Sequence, residues 1–173
     1  MSSIKNLIER NQRYIQDIKS SKVKSEKHNA LTQGQSPNLL VITCSDSRVI
    51  PEKIFDMDEG EVFVIRSAGN VINEGELASV EYGIEHLHIK TVVVLGHTLC
   101  GAIHAAKDKE TGKYLRPILD NIGTLVTDDI SELELTKANC AKQVNYLKEK
   151  FPEYDGEFIP LLYDICTNKV ETI

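Results

Sequence analysis

Cys44-Ser45-Asp46-Ser47-Arg48 and His97-Thr98-Leu99-Cys100-Gly101 each follow a short apolar run, and together they offer two thiols, an imidazole and a carboxylate beside an arginine. Thiolates with imidazole are a preferred donor set of zinc, and such a site with its fourth position open supports hydrolytic chemistry. Each residue also has a plainer reading. A cysteine ending an apolar run is commonly a small buried hydrophobe. His97 beside Gly96 could be a capping or core histidine, and an exposed Asp–Arg pair is worth little. The stretch from Gly96 to Gly101 could cradle a phosphate, but it lacks the lysine and hydroxyl of a P-loop. The combination of Cys44, His97 and Cys100 carries the metal reading. His28, His86, His88 and His104 lack such a setting and read as surface or satisfied histidines. Cys140, on an expected helix, and Cys166, ending the last apolar run, read as buried.

Residues 53 apart can meet only if the fold brings them to one edge. Leu39-Leu40-Val41-Ile42, Val62-Phe63-Val64-Ile65 and Val92-Val93-Val94-Leu95 are continuous β-branched or apolar runs, the mark of parallel strands covered on both faces. Between them the pattern turns helical: Pro51 to Phe55, with proline in the first turn, then a stripe of Leu77, Val80, Ile84 and Leu87. Further helices are expected over Cys100–Ala106, Pro117–Val126 and Ser131–Lys150, and a last strand over Phe158–Ile165 with Pro160 near its start. Strands alternating with helices predict an α/β fold with a mostly parallel central sheet flanked by helices. Cys44 and His97 then lie at the carboxyl ends of strands, where sites form near a switch in strand order. Cys44 and Asp46, at i and i+2, project to the same side of an extended segment, and Cys100 gains from a helix N-terminus.

Ahead of the sheet, Ile4, Leu7, Ile8, Ile15 and Ile18 recur at helical spacing, predicting an amphipathic helix to about Ser20 that needs a partner surface. The polar stretch to Pro37 reads as a connection containing a short helix. The 173 residues are read as one domain, 1–173, with 1–37 as a helical arm and connection. A net charge of -6 and the lack of a basic cluster argue against a nucleic-acid surface. The longest apolar runs are too short to span a bilayer, and no apolar leader segment is evident, so a cytoplasmic protein with reduced cysteines is expected.

On these residues the chain resembles the β-class carbonic anhydrases, and specifically their plant-like branch. Cys-x-Asp-x-Arg, then Arg66-Ser67-Ala68-Gly69-Asn70, then His-x-x-Cys-Gly is a highly specific combination, dense from Gln35 to Ala106 and looser at Tyr163-Asp164-Ile165 and Thr167. The resemblance implies that fold, one Zn²⁺ per subunit on Cys44, His97 and Cys100, and an Asp46–Arg48 pair controlling the fourth position, with Asp46 a possible fourth ligand in a closed state. It implies substrate-binding roles for Gln35, nine residues before Cys44, and for Phe63, Ala68, Gly69 and Tyr82, the aromatic residues coming from a partner subunit. It also implies a homodimer or dimer-based higher oligomer, the N-terminal helix packing on the partner. Ala68 is smaller than the valine often found there, Leu99 replaces an often polar residue, and the lack of tryptophan argues against the tryptophan-containing bicarbonate regulatory site of some bacterial relatives.

The expected activity is reversible hydration of CO₂ to bicarbonate and a proton, a zinc lyase (carbonic anhydrase) reaction. A zinc-bound water with its pKa lowered toward about 7 would supply hydroxide. Arg48 would compete for Asp46, leaving that carboxylate an acceptor. Hydrolysis of COS or CS₂ on the same ligand set, or a purely structural zinc with Asp46 as permanent fourth ligand, are the alternatives.

Overall fold

The computed structural model describes residues 4–173, so the first three residues of the expected arm lie outside the described residues. The chain divides into two compact units, one ending at Ser36 and one running from Pro37 to Ile173. The smaller is a helix pair, α1 (Ile4–Lys19) and α2 (Lys22–Leu31). Ser21 caps α2 by accepting from the Lys24 N–H, and Lys24 reaches back to Asp17 at 2.7 Å.

In the larger unit, a five-stranded sheet is built from β1 (Leu39–Cys44), β2 (Val62–Ser67), β3 (Thr91–His97), β4 (Glu157–Tyr163) and β5 (Val170–Thr172), in the order β2-β1-β3-β4-β5. All pairings are parallel except β4 with β5. Period-two alternation sorts β1 onto two faces. Leu40 and Ile42 join Ile65, Val92 and Val94 under α4 (Glu74–Glu81) and α7 (Glu132–Lys150), which contribute Val80, Cys140, Val144 and Leu147. Val41, Val93, Leu95 and Tyr163 fill the other face with Ile54 of α3 (Pro51–Ile54). Truncating Leu40 or Ile42, both fully buried, to alanine would cost about 2–5 kcal/mol.

α7 is started by a capping box, the Glu134 N–H on the Ser131 hydroxyl and the Ser131 N–H on the Glu134 carboxylate. It packs closely on β3 because Gly96 has no side chain. A Cβ there would collide with the Cys140 sulfur and stand 3.1 Å from Thr136 Cγ2. α5 (Gly101–Lys107) and α6 (Arg116–Gly123) pack with α7 around Ile103, Leu119, Ile122 and Leu135.

Four details depart from the sequence expectation. The stripe from Leu77 to Leu87 is not one α-helix: α4 gives way to a wider π turn over Tyr82–His86. Pro160 lies in the middle of β4; its carbonyl accepts from the Ile173 N–H, so its polar groups face the outer side of the strand, past the end of β5. The short β5 was not expected. Cys166 is exposed in a turn after β4 rather than buried.

Candidate metal centre

Cys44 is the last residue of β1 and His97 the last of β3, neighbouring strands. The chain leaves β1 for β2 on one side and returns to β3 on the other, so the two carboxyl ends flank a switch in strand order. Cys100 caps the start of α5 after a turn in which Leu99 takes a left-handed φ of 58°. The turn is tied down from behind. The Thr98 N–H donates to the Tyr163 carbonyl, and its hydroxyl donates to Asp164 Oδ1 while accepting from the Ile165 N–H, at 3.0 Å each.

The three donor atoms of Cys44, His97 and Cys100 all lie within 4.8 Å of one another, and all three residues are buried. The sulfurs are 3.9 Å apart. A tetrahedral zinc with Zn–S bonds of about 2.3 Å would hold two sulfurs ~3.8 Å apart, so the separation fits the ion. His97 Nδ1 donates to the Thr98 carbonyl at 2.9 Å, an acceptor-only partner that leaves the lone pair on Nε2. Nε2 is buried with no hydrogen-bond partner among the described residues. A buried nitrogen with an unused lone pair beside two sulfurs suits metal ligation.

The two sulfurs lie within hydrogen-bond reach of each other, and either can be the donor. A bond from Cys100 is the main reason the Cys44 thiol ionises more readily than usual; His97 and the N–H groups of Gly69 and Asp46 add to this, against burial. That bond and burial push Cys100 the opposite way. A divalent cation removes the conflict by stabilising both thiolates.

Asp46 is held away from this cluster. Oδ1 accepts from the Arg48 backbone N–H and from Arg48 Nε, both at 2.9 Å, and Oδ2 accepts from Arg48 Nη2 at 2.7 Å. The guanidinium holds the Asp46 carboxyl well below the usual carboxylate range, against the opposing effect of burial. Arg48 Nη2 also donates to the Leu99 carbonyl at 3.1 Å, bridging the two sequence fragments, and Arg66 Nη2 donates to the Asp46 carbonyl at 2.7 Å.

Ala68, Gly69 and Asn70 form a tight turn after β2, and the Gly69 N–H donates to Cys44 Sγ at 3.3 Å. Gly69 has φ 65°, and a Cβ on it would stand 3.0 Å from both Ala102 Cβ and Ile122 Cδ1, so only glycine fits. Gly69 therefore borders the cluster, with Ala68 next to it in the chain. Phe63 and Tyr82 contact each other, ring centres 6.2 Å apart, but Phe63 sits beside Leu40, four strand positions or ~13 Å from the carboxyl edge. Gln35 belongs to the smaller unit, two residues before Pro37.

Two further residues escaped the sequence reading. Asn139 and Gln143 lie inside α7's buried stripe, 0% and 1% exposed. Asn139 Nδ2 donates to the Gly69 carbonyl at 2.8 Å, Gln143 Nε2 donates to Asn139 Oδ1 at 3.1 Å, and Gln143 Oε1 accepts from the Ile72 N–H at 3.0 Å. The signal was present: Leu135, Asn139, Gln143 and Leu147 are spaced i, i+4 along one helix face.

The family model for carbonic anhydrase matches residues 39–152. Carbonic anhydrase 2 of Mycobacterium tuberculosis H37Rv is 38% identical over 128 residues, covering 70% of this chain and 62% of that protein. The carbonic anhydrase of Synechococcus elongatus is 39% identical over 137 residues, covering 67% and 50%. The chain thus spans about half to three fifths of the length of these curated relatives. Among solved structures, the β-carbonic anhydrase CafA of Aspergillus fumigatus superposes with a TM-score of 0.87 at 26% identity over 99% of this chain and 91% of that one. A Coccomyxa β-carbonic anhydrase, solved with acetazolamide, gives 0.84 at 25% identity over 100% and 87%. Among the described residues no helix is long and apolar enough to cross a membrane. With the matched segment spanning β1 through α7 and including both fragments that build the cluster, this chain belongs to the β-class carbonic anhydrases.

Proposed function

We propose that the chain catalyses the reversible hydration of CO₂ to bicarbonate and a proton, with one Zn²⁺ per subunit held by Cys44, His97 and Cys100. The observation that carries this reading is the occupation of Asp46: both carboxylate oxygens are engaged by Arg48, so three donors converge without the fourth that would close a structural site. Zinc bound there supplies a Lewis acid and lowers the pKa of a coordinated water toward about 7.

The chain's own residues do the rest. Asp46 Oδ1 already accepts two N–H groups, whereas Oδ2 accepts one, so Oδ2 keeps a lone pair for the O–H of the reacting water. Its charge persists throughout the working range because Arg48 stabilises it. By accepting that hydrogen bond, Asp46 turns the water's lone pair toward the CO₂ carbon. Ala68 and Gly69 wall the pocket. Phe63 stands too far back along β2 to line its own chain's cluster, and Tyr82 of the π turn packs beside it, which supports their serving a partner's pocket in a homodimer or dimer-based assembly. The four cysteines, none in a disulfide, suit a reducing cytoplasmic compartment.

Zinc analysis joined to stopped-flow CO₂ hydration, with COS and CS₂ assayed in parallel, tests the reading. Cys44→Ser should lose zinc, and Asp46→Asn should keep zinc but lose most turnover. A zinc-replete Asp46→Asn protein with near-wild-type hydration would sink the role given to Asp46. Turnover of COS or CS₂ in place of CO₂ would move the substrate.

A further inference from the structure

We propose that Asn139 and Gln143 are positioning residues of the metal centre: through the turn at residues 69–72 they aim the Gly69 N–H at the Cys44 sulfur and set how much charge that sulfur donates to a bound metal. The inference rests on the metal reading above. A helix face that buries Leu135 and Leu147 also buries two primary amides, which in an apolar core are costly unless every group is paired.

Here the pairing has a direction fixed at both ends. The Ile72 N–H can only donate, so Gln143 must present its oxygen there and its nitrogen to Asn139. The Gly69 carbonyl can only accept, so Asn139 must present its nitrogen there. Gln143 Nε2 also reaches Asn121 Oδ1 at 3.1 Å, anchoring the run to α6. α7 thus grips the segment at Gly69 and again at Ile72. Had the amides served only to pack α7 on the sheet, apolar side chains of their volume would do as well or better.

The gripped turn is the one whose remaining donor meets the metal ligand. Gly69's carbonyl and its N–H flank one Cα, and with the carbonyl held and the φ of 65° confined by Ala102 and Ile122, the N–H is kept pointing at Cys44 Sγ, 3.3 Å away. An N–H donated to a thiolate withdraws charge from sulfur. On a metal with two thiolate ligands, that bond limits donation and preserves Lewis acidity, as partners behind the ligands commonly do.

Cobalt(II) is the probe, because its sulfur-to-metal charge-transfer absorption reads sulfur donation directly and needs no turnover. Asn139→Leu in the full chain should move that absorption to lower energy, and because the released turn no longer preorganises Cys44, cobalt binding should weaken about tenfold or more in competition with a chelator despite the stronger donor. Gln143→Met, which keeps the Asn139–Gly69 bond, should shift both in the same direction by less. Val144→Ala, a cavity on the same helix that removes no hydrogen bond to Gly69 or Ile72, should lower stability and leave both readings in place. Unchanged absorption and affinity in Asn139→Leu, or an equal change in Val144→Ala, overturns the proposal. If Asn139→Leu does not fold, Gln143→Met against Val144→Ala decides it by the same criterion. A wild-type protein without the absorption overturns the metal centre itself; wild-type absorption that the variants leave unmoved overturns only the role of Asn139 and Gln143.

Discussion

Replacing Gly69 with alanine tests how tightly the turn behind Cys44 is built. Two costs add. A Cβ in the left-handed region costs about 1–2 kcal/mol, and Gly69 has φ 65°. The new methyl also meets Ala102 Cβ and Ile122 Cδ1 at 3.0 Å each, where carbon pairs normally rest at about 3.5–4.0 Å. Ile122 is fully buried and cannot swing aside, so overpacking of about 1–3 kcal/mol applies. Alanine recovers about 0.4–1 kcal/mol by restricting the unfolded chain. The net loss is about 1–5 kcal/mol. With a urea m-value of roughly 2 kcal/mol/M, the midpoint should fall by about 0.5–2.5 M without a change in slope. Gly75→Ala is the control: it sits in α4, where an added methyl would meet nothing within 4 Å, and should be neutral or gain up to about 1 kcal/mol. A Gly69→Ala midpoint equal to wild type, or an equal drop in Gly75→Ala, would refute the packing argument.

Three other outcomes follow from the site and its surroundings. Arg48→Ala should keep zinc yet lose CO₂ hydration by about 10–100-fold, and Arg48→Lys should recover little of it because lysine lacks the two-pronged fork; full activity in either removes Arg48 from the scheme. Stripping the metal with a chelator should lower the melting temperature: zinc at a thousand times its Kd adds about 4.1 kcal/mol, or about 8–16 °C for a domain of this size, and Cys44→Ser should not respond to the chelator. His104, paired with Glu132 at 2.8 Å and near Asp108, has its pKa raised above the unfolded value of about 6.5, first by Glu132 and then by Asp108. That stabilisation is complete below the unfolded value and fades as pH rises through the folded one. The stability gap between wild type and His104→Gln, from urea midpoints, should therefore shrink from pH 6 to pH 9; a gap that widens contradicts the pairing.

The β1 and β3 cores were legible because strands buried on both faces must be apolar throughout, and Cys44 and His97 could be placed because they end those runs; β2, half-buried at the sheet edge, was legible from the same apolar run. The π turn at Tyr82–His86 was not legible, since one extra residue in a turn barely disturbs a stripe of apolar spacing. β5 pairs through only three residues, Val170 to Thr172, too few for an alternation to register. The misplacement of Cys166 has a simple cause: β4 ends at Tyr163, and the turn held by Asp164 carries the cysteine outward. Asn139 and Gln143 were visible as amides on an apolar face, yet their destination depended on a tertiary contact with residues some seventy positions earlier, for which no local pattern exists.

The parallel pairing of β1 with β3 has a bearing on when the site comes into being. All of β2, the turn after it and α4 intervene between the Cys44 half and the His97–Cys100 half, and β1 must already lie beside β3 before the halves face each other. Local segments can form at once, but this contact waits for a long crossover to close. A metal ion bound there would act as a latch that can engage only once the two central strands have met. It would span the β1–β3 seam, and opening that seam would first have to release the ion.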